Sequence, residues 1–344
     1  MKVGVLGLGS MGSRRIRDLL QLGHEVRGAD RRADRNLRAN ERFGIRTFDS
    51  AQDMIASGLD ALVVSTPPDQ HAASYGIAFD ARLPFFSEAS IVTPTLAWFD
   101  AQEARAGVHG FASATWRFYA PLVELRERLL RDGGPTVTAV HHEYADYLPR
   151  WHPWEPYWEF YAGASRQTSA AREMVPFELE WLCWLFGPVA AVSATVARLG
   201  EWRTDINDAY FLQIHFEGGL RSTVRIELHR EAPARLATIC ARGVSYQVDF
   251  NNDTLGQFDT AAERWEPVVL RETEAASSDL ERVYAAEMRA FMAAVREEAA
   301  YPKTWGEDRH LSDILIAAER SAQEGRWVRV GDISATYDGL SVNC

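Results

Sequence analysis

Lysine is nearly missing from this 344-residue chain. It occurs only at Lys2 and Lys303, and every other basic residue is arginine, so an ammonium group is hard to come by for chemistry. Cysteine is also scarce: Cys183, Cys240 and Cys344 are too few and too scattered for a disulfide framework or a zinc site. That points to a reducing, cytoplasmic setting. Positive charge is in deficit, with a formal net charge of −11, which argues against nucleic acid as a partner because phosphate binding needs a basic field. No apolar run approaches the ~20 residues that cross a bilayer, so no membrane partner is expected. The opening MKVGVLGLGS runs from strand into glycine loop, with no charged region or cleavage site, and does not read as a signal peptide.

What is present is ordinary globular material, 47% hydrophobic and 25% charged, in a chain long enough for two cores. Up to about residue 119, strand patterns alternate with helix patterns: KVGVLGL, HEVRGAD, ALVVST and LPFFSE between SRRIRDLLQLG, RADRNLRANERFG, DQHAASYGIAFDA and TLAWFDAQEARAG. This alternation predicts an α/β domain with a parallel, doubly wound sheet over residues 1–119. Over 120–344 the style changes to closely spaced strand-like runs with turn signals between them, which predicts an α+β domain with an open-faced, mostly antiparallel sheet. A large exposed apolar face is rare on a monomer, so that sheet face is expected to be covered in a homodimer or homotetramer.

The strongest motif is VGVLGLGSMG, with Gly7, Gly9 and Gly12 in G-x-G-x-x-G spacing between a strand and a helix. Gly7 permits the turn, Gly9 admits a pyrophosphate to the backbone, and Gly12 lets the helix pack closely. Ser10 and Met11 complete the phosphate-binding turn at the helix N-terminus. Asp30 ends the next strand, where a carboxylate holds the ribose hydroxyls of NAD and repels the 2′-phosphate of NADP. Arg31 and Arg32 follow directly and could pair with that phosphate instead; NAD is favoured, with NADP left open.

The order GLGSMG, DALVVSTPPDQH and FFSE resembles the Gfo/Idh/MocA oxidoreductases, which include glucose–fructose oxidoreductase and inositol dehydrogenases. The resemblance covers most of the chain and identifies the first part as a Rossmann dinucleotide-binding domain. It implies a nicotinamide cofactor and a small, carbohydrate-like substrate. It also implies that Ser65, Thr66, Pro67 and His71 lie along the cofactor and that Glu88 lies near its nicotinamide ribose. Two departures stand out. Members of the family follow the glutamate with lysine, whose ammonium stabilises charge on the reacting oxygen or helps a proton leave; here the residue is Ala89. They also place a histidine four residues after an acid; here the acid is Glu173 and the histidine position is Phe177.

Other groups could do the proton work. Arg172, Glu173, Glu178 and Glu180 crowd one segment, where Pro176 suggests a helix start, and a carboxylate in a closed apolar site can act near neutral pH. The stretch YLPRWHPWEPYWEFYAG, residues 147–163, holds seven aromatic residues among three prolines and reads as a structured loop. Its aromatic faces suit the C–H face of a sugar, or else an oligomer interface. Glu173, His152, Tyr157 and Tyr161 are the proton-transfer candidates, and Trp151, Trp154, Arg172 and Phe177 the substrate-binding ones. No metal site is expected, since His141 and His142 are adjacent on a strand and point to opposite faces. The readings left open are an NAD(P)-dependent oxidoreductase of a sugar, sugar nucleotide or polyol, including a transient-oxidation epimerase or eliminase, and a relative that binds NAD and a sugar-like ligand as a sensor or partner subunit.

Overall fold

The computed structural model describes residues 1–89 and 107–337. Ser90 and nearly all of the helix expected over TLAWFDAQEARAG lie outside the described residues. The described residues form two compact units, one from residues 1–115 with Leu280–Arg309 and one from Trp116–Asp279 with residues 310–337. A continuous second domain over 120–344 was expected; instead the segment 280–309 returns to the first unit.

In the first unit, β1 (Lys2–Leu6), β2 (Glu25–Ala29), β3 (Arg46–Phe48), β4 (Ala61–Val64), β5 (Phe85–Ser87) and β6 (Gly110–Ala112) form a sheet in the order β3-β2-β1-β4-β5-β6. Every pairing in it is parallel. Helices α1 (Ser10–Gln21), α2 (Ala33–Phe43), α3 (Ala51–Ala56) and α4 (His71–Asp80) connect the strands. Both faces of the sheet are apolar, as a covered parallel sheet requires. Val3, Val5 and Val63 pack with Ile16, Leu19 and Phe86 on one side, while Leu62 and Val64 pack with Tyr75, Phe79 and Phe85 on the other. The strand order reverses between β1 and β4, and the carboxyl ends of strands at such a switch point are where doubly wound sheets bind ligands.

In the second unit, β7 (Val137–Tyr147), β8 (Val189–Ala197), β9 (Ala209–Phe216), β10 (Arg221–Glu227), β11 (His229–Ala241), β12 (Val244–Asp249), β13 (Thr254–Asp259), β14 (Arg264–Pro267) and β15 (Val328–Arg329) form a nine-stranded sheet ordered β14-β13-β12-β11-β7-β10-β9-β8-β15. Only β7 and β10 pair in parallel, so the sheet is mostly antiparallel. The remaining helices are α5 (Ala120–Leu130), α6 (Tyr161–Ala164), α7 (Ala170–Phe186), α8 (Leu280–Val295), α9 (Trp305–Glu324) and α10 (Val330–Tyr337). Pro176 does not start α7 but sits inside it, because Val175, Leu179 and Leu182 are buried on both sides of the proline and their packing outweighs the lost hydrogen bond.

The expected apolar open face is also not what forms. On β9, Tyr210, Leu212 and Ile214 are buried and Gln213 faces outward; on β10, Val224 and Ile226 are buried and Arg221, Thr223 and Arg225 face outward. His141 joins that face and bonds Thr223 at 2.8 Å, while His142 on the other face is buried, as adjacent strand residues must be. The outer side is therefore mixed, with Phe211 and Trp327 beside its polar residues.

One buried relay links the carboxyl ends of β4 and β5. His71 is fully buried; its Nε2–H donates to the Thr66 carbonyl at 3.0 Å and its Nδ1 faces the Tyr75 hydroxyl at 3.2 Å. Tyr75 reaches Ser87 at 2.6 Å, and the Ser87 hydroxyl donates to the Glu88 carbonyl at 2.9 Å. Burial pulls the His71 pKa down from 6.5 to about 4, so the ring is neutral. Below pH 6.5 the unfolded chain takes up a proton that the native ring refuses, so this relay's stabilisation is full above pH 6.5 and is lost as pH falls toward 4. Urea denaturation of wild type and His71→Gln is expected to show a stability advantage for wild type near pH 7 that shrinks by about 3 kcal/mol on titration to pH 4.

Candidate active site

The turn after β1 is shaped by glycine in ways no other residue could reproduce. Gly7 has a φ of +85°, and a Cβ there would lie 2.5 Å from the Ser65 carbonyl oxygen. A Cβ on Gly12 would lie 1.9 Å from the Gly7 carbonyl oxygen. Gly9 differs: its Cβ would meet nothing nearer than the Arg35 guanidinium at 3.6 Å, so that side of the turn is open to a ligand. Gly9 caps α1 without a side-chain hydrogen bond, which leaves the N–H groups of the first turn, at Ser10, Met11 and Gly12, directed outward with the positive end of the helix dipole.

Beside this turn is a cavity of about 620 Å³ lined by Gly7, Asp30, Arg31, Thr66 and Pro67, among others. The Asp30 carboxylate accepts from the Leu8 N–H at 2.7 Å and from the Arg32 N–H at 2.9 Å, with Arg35 at 3.4 Å. These bonds fix its orientation and leave lone pairs for a ribose. Arg31 lines the same cavity and has no hydrogen-bond or ion-pair partner among the described residues. The open glycine turn, the unused N–H groups and the fixed carboxylate fit the pyrophosphate and ribose of a dinucleotide. His71 does not fit its expected place along a cofactor, because a side chain with no exposed surface cannot touch one; it braces Thr66 from behind.

Glu88 is held by a residue that sequence reasoning passed over. Arg15 on α1 is fully buried, and its Nε and Nη2 donate to the two Glu88 oxygens at 2.7 and 2.9 Å. Its Nη1 lies 2.8 Å from Glu287 on α8, near enough for an ion pair though not aligned as a hydrogen bond. Burial works against the Arg15 charge, but the two carboxylates outweigh it and hold the guanidinium more firmly protonated than usual. Glu287 also accepts from the Ala114 N–H at 2.6 Å and the Ser113 hydroxyl at 3.0 Å, at the end of β6. The signal was available, since Arg15 falls beside Ile16 and Leu19 on the buried side of its helix, and a charge there implies a partner. Lys303 is no stand-in for the missing lysine: it is buried, and its Nζ is spent on Asp308 at 2.5 Å and the Ser113 carbonyl at 2.8 Å.

In the second unit, α6 and α7 bring two proton-transfer candidates together. The Tyr161 hydroxyl donates to the Glu173 carboxylate, 2.9 and 3.1 Å from its two oxygens. Phe177 follows Glu173 by one helical turn on the same face and packs on Trp116 at 5.2 Å. The other acids of the segment turn elsewhere: Glu180 binds Arg117 at 2.7 Å, and Glu178 binds His142 at 2.8 Å and Arg235. Burial pushes the Glu178 carboxyl up, but Arg235 and His142 overcome it and hold the group below its usual range.

The rest of the aromatic stretch is mostly braced internally. The Tyr157 oxygen accepts from the Arg203 N–H at 2.7 Å, and His152 stacks between Trp154 and Phe160 with Nδ1 2.8 Å from Glu155. Trp151 donates to Asp146 at 3.0 Å, and only Trp154 is strongly exposed. Arg172 bonds Glu319 of α9 through Nε at 2.7 Å and Nη2 at 3.2 Å, and both line a separate cavity of about 480 Å³. Among the described residues no group of three or more His, Cys, Asp or Glu is placed to hold a metal ion, and no helix is long and apolar enough to cross a membrane.

A nicotinamide-dinucleotide fold with a second, open-sheet unit defines a class of two-part oxidoreductases, and sequence comparison agrees. Residues 1–106 match the oxidoreductase family with an NAD-binding Rossmann fold, and residues 125–248 match the GFO/IDH/MocA C-terminal domain. The chain belongs to the Gfo/Idh/MocA oxidoreductase family, and its first unit is an NAD-binding domain. Similar solved structures include an oxidoreductase from Agrobacterium radiobacter in complex with NAD+, L-tartaric acid and magnesium, at 16% identity and a TM-score of 0.81 over 97% of this chain and 99% of that one. The WlbA dehydrogenase from Bordetella pertussis, in complex with NADH and UDP-GlcNAcA, matches at 19% identity and a TM-score of 0.75 over 96% and 98%. A levoglucosan dehydrogenase in complex with NADH matches at 15% identity and a TM-score of 0.81 over 96% and 99%.

The glycines make separable predictions. Gly12→Ala is expected to lower the melting temperature and to abolish NAD binding, because the turn cannot close. Gly9→Ala is expected to keep the wild-type melting temperature while weakening NAD at least about tenfold, since only the space for phosphate is lost. Thermal denaturation with equilibrium dialysis of labelled NAD checks both.

Proposed function

We propose that this protein is an NAD-dependent dehydrogenase that oxidises an alcohol of a sugar, sugar nucleotide or polyol, with Tyr161 and Glu173 moving the proton. The observation that carries this reading is the Tyr161–Glu173 hydrogen bond, one helical turn before the position where the family places its histidine. Bound NAD supplies the hydride acceptor. The substrate hydroxyl gives its proton to the Tyr161 oxygen as the phenol passes its own to Glu173, so the alcohol becomes a carbonyl without a free tyrosinate. Ser10, Met11 and Gly12 hold the pyrophosphate through backbone N–H groups, and Asp30 holds the adenosine ribose. Glu88, pinned by Arg15, would lie near the nicotinamide ribose. The sugar and hydroxy-acid ligands of the similar structures support an oxygen-rich substrate.

The rival reading, an NAD-binding sensor or partner subunit, is favoured by Ala89 and Phe177 standing where the family has lysine and histidine. NADH formation by wild type and Glu173→Gln, with NAD affinity measured alongside, separates the two. The dehydrogenase reading predicts sugar-dependent turnover that drops about 10²- to 10⁴-fold in the variant while NAD still binds. Equal rates would remove Glu173 from the mechanism, and no turnover by wild type with NAD bound would favour the sensor.

A further inference from the structure

Arg235 lies on β11 opposite Tyr144 of β7, and its strand neighbours Ala237 and Ile239 point the same way into the second unit. A guanidinium has two edges that can grip a planar anion. The Nε–Nη2 edge of Arg235 is taken by Glu178, with Nε at 3.4 Å from one oxygen and Nη2 bonded to the other. Glu178 has no exposed surface and is fixed in turn by His142 at 2.8 Å. Aromatic rings wall the cation: Trp116 at 4.2 Å, Tyr144 at 5.0 Å, Phe250 at 5.3 Å and Phe177 at 5.5 Å from the guanidinium carbon. Its Nη1 has no hydrogen-bond or ion-pair partner among the described residues, and the side chain keeps 15% of its surface exposed.

The result is a cation held rigidly by a buried carboxylate, desolvated by aromatic rings, and left with its Nη1–Nη2 edge unsatisfied. We infer that this edge binds a carboxylate of the substrate, so that the alcohol oxidised belongs to a sugar acid, free or carried on a nucleotide. A carboxylate matches the fork in plane, charge and spacing, and in a partly desolvated site two charge-assisted bonds discriminate strongly against a neutral group. A phosphate matches less well, because one guanidinium already paired with Glu178 does not balance a dianion. Phe177 ties the two ends of the site together, touching Arg235 with its ring and following Glu173 by four residues, about 6 Å along the helix. A sugar acid anchored at Arg235 would lie along Phe177 and present a hydroxyl toward Tyr161 and Glu173. This inference rests on the dehydrogenase reading for the reaction, but the binding it describes can be measured without turnover.

The test uses the full chain with NAD or NADH and a panel of D-glucuronate, D-galacturonate and D-gluconate, each beside its neutral aldose or alditol, with glucose 6-phosphate as the phosphate arm. NADH formation gives kcat and KM; thermal shift in the presence of NADH gives binding. Expected is a preference for an acid over its neutral counterpart of at least about tenfold in kcat/KM, and a rise in KM for that acid of about 10- to 100-fold in Arg235→Met with kcat changing less. Arg235→Lys, which keeps the charge and a donor for Glu178, is expected to retain the wild-type melting temperature and NADH affinity while losing part of the preference. If no panel member is oxidised but an acid still raises the melting temperature, through Arg235, the acid site stands and the dehydrogenase reading falls. Equal use of acids and neutral sugars, a better response to glucose 6-phosphate, failure of every acid to bind while NADH does, or a wild-type acid preference in Arg235→Lys would each overturn the proposal.

Discussion

The first unit depends on one buried cation. Arg15 stands between Glu88 and Glu287, and through them α1 is tied to the end of β5, to α8 and to the end of β6. Taking three charges out of water costs several kcal/mol each, so such a cluster persists only when its hydrogen bonds are nearly complete. Here Glu88 is gripped on both oxygens, and Glu287 also collects a backbone N–H and serine and threonine hydroxyls. The geometry of the glycine turn follows, because α1 begins at that turn and cannot slide while Arg15 is held. Glu88 is likewise fixed whether or not a lysine follows it. Ala89 therefore follows a carboxylate whose position is set by Arg15 and not by its own neighbour in sequence.

The second unit answers the same problem differently. Its polar centre is Glu178, gripped by Arg235 and His142 beneath a layer of aromatic rings. The family's histidine position is filled by Phe177, whose ring helps to wall the guanidinium. The same region holds a second polar pair, since the Tyr161 hydroxyl donates to Glu173 one helical turn before Phe177.

Local pattern made the first unit legible. VGVLGLGSMG, ALVVST and FFSE each carry their own periodicity, and the parallel sheet follows from strands alternating with helices. Long-range pairing hid the rest. The return of residues 280–309 to the first unit depends on Glu287 meeting Arg15, two residues whose local contexts give no hint of each other. Arg235 could have been singled out as a charge at an inward position of a strand, but its partner Glu178 is 57 residues away and belongs to a helix. Pro176 misled because the rule for proline weighs backbone hydrogen bonds, whereas α7 is held through that point by buried Val175 and Leu179. The aromatic stretch read as a ligand loop or an interface, yet its hydroxyl, imidazole and indole groups mostly brace their own neighbours, while the Tyr161 hydroxyl donates to Glu173.

The central claim is that the glycine turn set by Arg15 still binds a nicotinamide dinucleotide although the adjoining lysine is gone. The most direct measurement is a titration of the purified protein with NAD, NADH, NADP and NADPH, followed by tryptophan fluorescence, after assaying for cofactor carried through purification. The account predicts saturable binding of NAD and NADH, with NADP and NADPH weaker because Asp30 faces the ribose. Binding of none of the four would contradict it and would leave the chain with the fold of a dehydrogenase but not its chemistry.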